Sequence, residues 1–142
     1  MSDMSTIRDL TFHHIGVATA DFETPVQFYS GMGYRCVAEA IDEHQGVELR
    51  LLEVSGGGPR VELIKPLSNS SPISRSLRTI GPSIYHCCYE TQSLDGLLDR
   101  LRKQHRIIRI CEPTPAPLFG GSSVSFWQIA GLGLFEFLER AA

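Results

Sequence analysis

The chain has 142 residues with 13 Lys+Arg against 16 Asp+Glu, a formal charge of −3, and 42% hydrophobic residues. That size suits one domain, and the apolar content excludes a disordered chain. The acidic balance argues against a nucleic-acid binder, and no apolar run approaches the ~20 residues that cross a bilayer.

Residues 1–10 read as a polar N-terminal arm; Met1–Ser5 lack the charged and apolar regions of an export signal, so a cytoplasmic location is expected. Thr11–Ala20 is apolar and β-branched and predicts a strand. Asp21 then stands as an N-cap for a helix to about Met32, where Gly31 and Gly33 stop it. Strands are expected over Tyr34–Ile41, Val47–Val54 and Arg60–Ile64, with Gly56-Gly57-Gly58-Pro59 turning the last two. Residues 67–82, rich in Ser, Pro and Gly, read as a linker with a helical turn near Ile73–Leu77.

The order then repeats. A strand over Ile84–Thr91 leads to a helix opened by Ser93 with an apolar stripe of Leu94, Leu97, Leu98 and Leu101. Strands over Ile107–Cys111, Val124–Ile129 and Leu134–Leu138 follow, with a loop at Glu112–Gly121. Setting His14 on His86 aligns both helix starts, so residues 11–142 read as one domain of two βαβββ modules, about 11–66 and 83–140. Cys36, Cys87, Cys88 and Cys111 show no paired spacing and read as reduced thiols.

Strand alternation makes polar residues in apolar strands informative. His14 lies 48 residues before Glu62 and His86 lies 50 before Glu136, a histidine on each module's first strand and a glutamate on its last. Each residue alone fits an ordinary strand position. Converging about a local two-fold, the four suit a divalent ion such as Co, Mn, Ni, Zn or Fe, with positions left for substrate. His13 is expected to point away. Glu48 shares a face with Arg50 and is a candidate acid/base group, with Arg50 a candidate substrate contact; Phe119 and Gly120 read as either a lid over substrate or a packed turn.

The runs His13-His14-Ile15-Gly16-Val17-Ala18, Val61-Glu62-Leu63-Ile64-Lys65-Pro66, Tyr85-His86-Cys87-Cys88-Tyr89-Glu90 and Gly133-Leu134-Phe135-Glu136 resemble the vicinal oxygen chelate superfamily (glyoxalase/bleomycin-resistance-like). The resemblance is strongest to methylmalonyl-CoA epimerase-like proteins. It implies an α+β fold whose two βαβββ modules form a cupped mixed sheet, with His14, Glu62, His86 and Glu136 as metal ligands. It also implies an isomerase that moves a proton alpha to a thioester carbonyl through a metal-chelated enediolate, with Glu48 and Glu136 as catalytic groups. An acyl-CoA or carrier-protein thioester is the implied substrate, and a homodimer the implied assembly. The glutamate on the third strand stands one position off the family pattern. A glyoxalase-type lyase acting on a thiol adduct, and a small-molecule or antibiotic-binding protein on the same scaffold, are the alternatives.

Overall fold

The computed structural model describes residues 6–141; Met1–Ser5 of the expected arm lie outside the described residues. The elements are β1 (Thr11–Ala18), α1 (Glu23–Gly31), β2 (Tyr34–Asp42), β3 (Val47–Val54), β4 (Arg60–Pro66), α2 (Pro72–Thr79), β5 (Ser83–Thr91), α3 (Leu94–Arg102), β6 (Ile107–Pro115), β7 (Ser123–Ile129) and β8 (Gly133–Glu139). All eight strands form one sheet in the order β2-β3-β4-β1-β5-β8-β7-β6. The expected α+β architecture of two βαβββ repeats is observed.

The repeat is visible in the pairing. β1 runs parallel to β4 and β5 parallel to β8, while β1 and β5 meet antiparallel at the centre. Gly16, two residues after His14, pairs with Glu62; Cys88, two residues after His86, pairs with Glu136. Each half therefore sets its glutamate beside its histidine by the same register.

Helices α1 and α3 cover one face of the sheet. Asp21 Oδ1 accepts from Thr24 N at 3.0 Å and Ser93 Oγ accepts from Gly96 N at 3.1 Å, satisfying donors at both helix starts. Leu94, Leu97 and Leu98 bury against Trp127, Ile129 and Phe137, and Phe22 at the start of α1 buries against Leu52, Val61 and Leu63. On the opposite, cupped face Ile73 of α2 packs with Ala18, Val47, Leu49 and Ile64 and closes one end.

Two elements extend furthest beyond the sequence-based boundaries. The expected linker contains a full helix, α2, because Ser71 caps Ile73 N at 3.3 Å and Pro72 fits the first turn. Strand β6 continues through Glu112–Pro115, where a loop is expected, since an edge strand tolerates proline. All four cysteines are free. Among the described residues no helix is long and apolar enough to cross a membrane.

Candidate metal centre

His14 on β1, Glu62 on β4, His86 on β5 and Glu136 on β8 meet at the middle of the cup, and one ligand atom from each lies within 4.8 Å of all the others. All four side chains are buried. Glu136 Oε1 is 3.0 Å from His14 Nε2 and 3.1 Å from His86 Nε2, and Glu62 Oε2 is 3.7 Å from His14 Nε2. His14 Nε2 is buried and makes no hydrogen bond of acceptable geometry, although it faces both carboxylates.

Electrostatics describe the same strain. Burial pushes the Glu62 carboxyl up to about 7, against the pull of His14. Burial also acts to raise Glu136, but the charge of His86 and the two imidazoles beside it hold it well below the usual carboxylate range. His14 loses by burial and gains more from Glu62 and Glu136, so its pKa is raised. Two adjacent buried carboxylates resist ionising together unless positive charge lies between them. A divalent cation with nitrogen and oxygen ligands supplies that charge, and the unpaired His14 Nε2 gives it a donor, so the four residues fit such an ion.

His13 departs from the expectation that it points away. Along β1, Phe12 pairs with Tyr89 and His14 with Cys88, leaving His13 as an extra, bulged residue. Its Nδ1 lies 2.8 Å from His14 Nδ1, and its ring meets Phe119 edge-on at 4.7 Å. Burial first, then the charges of His14 and Arg60, lower its pKa to about 4.

A cavity of about 270 Å³ opens beside the quartet, lined by Glu62, His86, Glu136 and mostly apolar side chains that include Val47, Leu49, Ile64, Ile73 and Phe126. Glu48 and Arg50 are not brought there. Val47 and Leu49 take the cup side of β3, so alternation sends Glu48 and Arg50 to the α1 side. Glu48 pairs with Lys65 at 3.6 Å, and the Arg50 guanidinium lies 4.3 Å over the Phe22 ring. Phe119 stacks on His14 with centroids 5.6 Å apart and so supports that imidazole, while Gly120 is exposed with nothing near its Cα substituent position. The Leu118–Phe119 segment is a packed turn, held by Phe119 N donating to Ala116 O and by Ser122 N donating to Phe119 O, both at 3.1 Å.

The family model described as the Glyoxalase/Bleomycin resistance protein/Dioxygenase superfamily matches residues 13–126. The chain belongs to this superfamily. Members of the superfamily typically bind a divalent metal, and the quartet is a group of residues that could hold one. The chain is similar in structure to methylmalonyl-CoA epimerase from Mycobacterium tuberculosis, with a TM-score of 0.81 and 29% identity over 99% of this chain and 95% of that one. It is also similar to a Streptomyces coelicolor methylmalonyl-CoA epimerase variant in complex with 2-nitronate-propionyl-CoA, with a TM-score of 0.74 and 27% identity over 94% and 99%. Human mitochondrial methylmalonyl-CoA epimerase is 28% identical over 95 residues, 65% of this chain and 52% of that protein, so the chain spans about half its length.

Proposed function

We propose that this protein is a metal-dependent isomerase of the epimerase type, which removes and returns a proton at the carbon alpha to a thioester carbonyl. The observation that carries the reading is the buried convergence of His14, Glu62, His86 and Glu136, with His14 Nε2 unpaired and aimed at two carboxylates. Similarity at 27–29% identity to epimerases, one of them complexed with an acyl-CoA compound, supports the reaction class and the acyl-CoA or carrier thioester substrate.

In this reading His14, Glu62, His86 and Glu136 hold the divalent ion. When bound, such an ion supplies a Lewis acid that stabilises negative charge developing on substrate oxygens. The chain's own residues do the rest. Val47, Leu49, Ile64 and Phe126 exclude water and lower the local dielectric, which strengthens every charge interaction inside. In this reading Glu62 and Glu136, which line the cavity from different halves of the sheet, are the carboxylates that take the proton from the carbon and return it. This assigns the second acid/base role to Glu62, in place of Glu48.

Dialysis against a chelator, metal analysis and deuterium exchange at the α-carbon of acyl thioesters test the proposal. It expects stoichiometric metal uptake and metal-dependent exchange. Absence of uptake, or exchange on no acyl thioester, would overturn it.

A further inference from the structure

Outside the quartet, four polar side chains line the cavity: His44, Gln45, Tyr85 and Cys111. Tyr85 enters through a bulge in β5, since His86 pairs with Gly16 but Ile84 with Val17. Its hydroxyl and the exposed His44 imidazole can each donate or accept a hydrogen bond. The Cys111 thiol donates to Glu112 O at 3.5 Å. Gln45 differs from all three, because its hydrogen-bonding sense is set before anything binds.

Asp42, at the end of β2, is buried, and Gln45 takes both its carboxylate oxygens: Oδ1 accepts from the Gln45 backbone N and Oδ2 from Nε2, each at 3.0 Å. A carboxylate only accepts, so the amide must face it with its nitrogen, and Oε1 is turned the other way. Oε1 has no partner among the described residues and is not sealed from solvent. The turn that carries it is pinned as well, Gly46 O accepting from Leu67 N at 2.9 Å. Asp42 does not line the cavity, whereas Gln45 does. An acceptor already held in one orientation loses little freedom when a ligand arrives. Leu51 pairs with Glu62, so Val47 and Leu49 of β3 separate Gln45 from the quartet by about 13 Å of strand.

We infer that Gln45, oriented by Asp42, is a specificity-determining residue whose Oε1 accepts a hydrogen bond from an amide N–H on the arm of the bound thioester, while the acyl end reaches the quartet. The inference rests on the proposed epimerase reading for the identity of the ligand and on the cavity for the contact. The thiol of coenzyme A or of a carrier protein ends a pantetheine arm, which when extended carries two secondary amide N–H groups over a span of this order. An amide N–H only donates, which matches an oxygen that only accepts. The contact moves no proton and takes no part in the chemical step; it selects an amide-bearing arm and sets how deep the acyl group sits. Tyr85 and His44 can meet further polar groups of either sense, so the inference concerns the arm and not the charge of the acyl group.

Calorimetric titration with S-propionyl pantetheine, and with its diester isostere in which oxygen replaces both amide N–H groups, tests this in the parent and two variants, with and without cobalt. The preference for the amide ligand is expected to fall about three- to tenfold in Gln45→Met, which removes the acceptor at similar volume. Asp42→Asn is expected to produce a similar fall, because an asparagine amide can donate to Oε1 and turn the Gln45 amide over. Slackening of the turn weakens both ligands alike, so the ratio of the two affinities separates the hydrogen bond from a structural role. A parental ratio in either variant, or no binding of either ligand to the parent, would overturn the inference. Failure to exchange α-deuterium on any acyl thioester would overturn the epimerase reading instead, and the ratio, which needs no turnover, would still decide the role of Gln45.

Discussion

Gly16 lies directly opposite His86 across the β1–β5 ladder, so close that a Cβ on it would collide with His86 Cε1 and stand 2.6 Å from Nε2. The imidazole occupies the space that any other residue's side chain would need. Gly16→Ala therefore forces the His86 ring out of the quartet or pushes β1 from β5. Overpacking of this kind costs about 1–3 kcal/mol, and a displaced ligand is expected to lower metal affinity by about 10-fold or more. Metal analysis after equilibrium dialysis, with thermal unfolding alongside, checks both effects. A variant retaining parental metal affinity would show that His86 does not need this position.

The quartet was legible because each member is polar in an apolar strand and the spacing recurs in both halves. What period two does not tell is which face of a strand is the cup. On β3 both faces are covered, one by Phe22 and α1 and the other by Ile73 of α2, so Glu48 and Arg50 could be grouped together from sequence but not aimed. His13 and Tyr85 were illegible for a different reason. Each is the extra residue of a bulge immediately before a candidate ligand, and a bulge leaves no mark in hydrophobic periodicity. Each joins the site from a parity that alternation assigns to the other face.

His13 acts on the centre through His14. With their Nδ1 atoms 2.8 Å apart, the arrangement that leaves His14 Nε2 a bare donor for a metal has the His14 Nδ1–H donating to a neutral His13. His13→Ala removes that acceptor and a ring contact to Phe119. Metal affinity is expected to fall about 10- to 100-fold, with partial recovery in His13→Gln, whose amide oxygen can accept. Competition against a fluorescent chelator measures both variants, and equal affinity in His13→Ala and parent would remove the positioning role.

Glu48 gives the contrasting case. Its carboxylate pairs with Lys65 at 3.6 Å on the α1 side, both side chains about one-third exposed. A pair this open contributes at most ~1 kcal/mol. Glu48→Gln is expected to leave α-proton exchange within about twofold and stability within that margin. A loss of exchange by orders of magnitude, with the thermal midpoint unchanged, would return the acid/base role to β3.

The metal-free protein should become less stable as pH rises from about 5.5 to 8. Glu62 is protonated up to about 7 when folded against 4.5 ordinarily, so its contribution is present in acid and is lost as pH climbs through about 7. His14, also raised, adds to the loss above 6.5, whereas Glu136, depressed, would lose its contribution only on acidification well below this window. The expected decrease is about 2 kcal/mol, or roughly 4–8 °C in thermal midpoint at this chain length. A bound divalent ion reverses the trend, because its ligands must be deprotonated and its affinity rises with pH. Thermal unfolding with and without chelator at both pH values tests the pair of slopes. Glu62→Gln, which keeps the side-chain volume but cannot ionise, should flatten most of the metal-free slope; a slope that survives the substitution would place its origin outside the quartet.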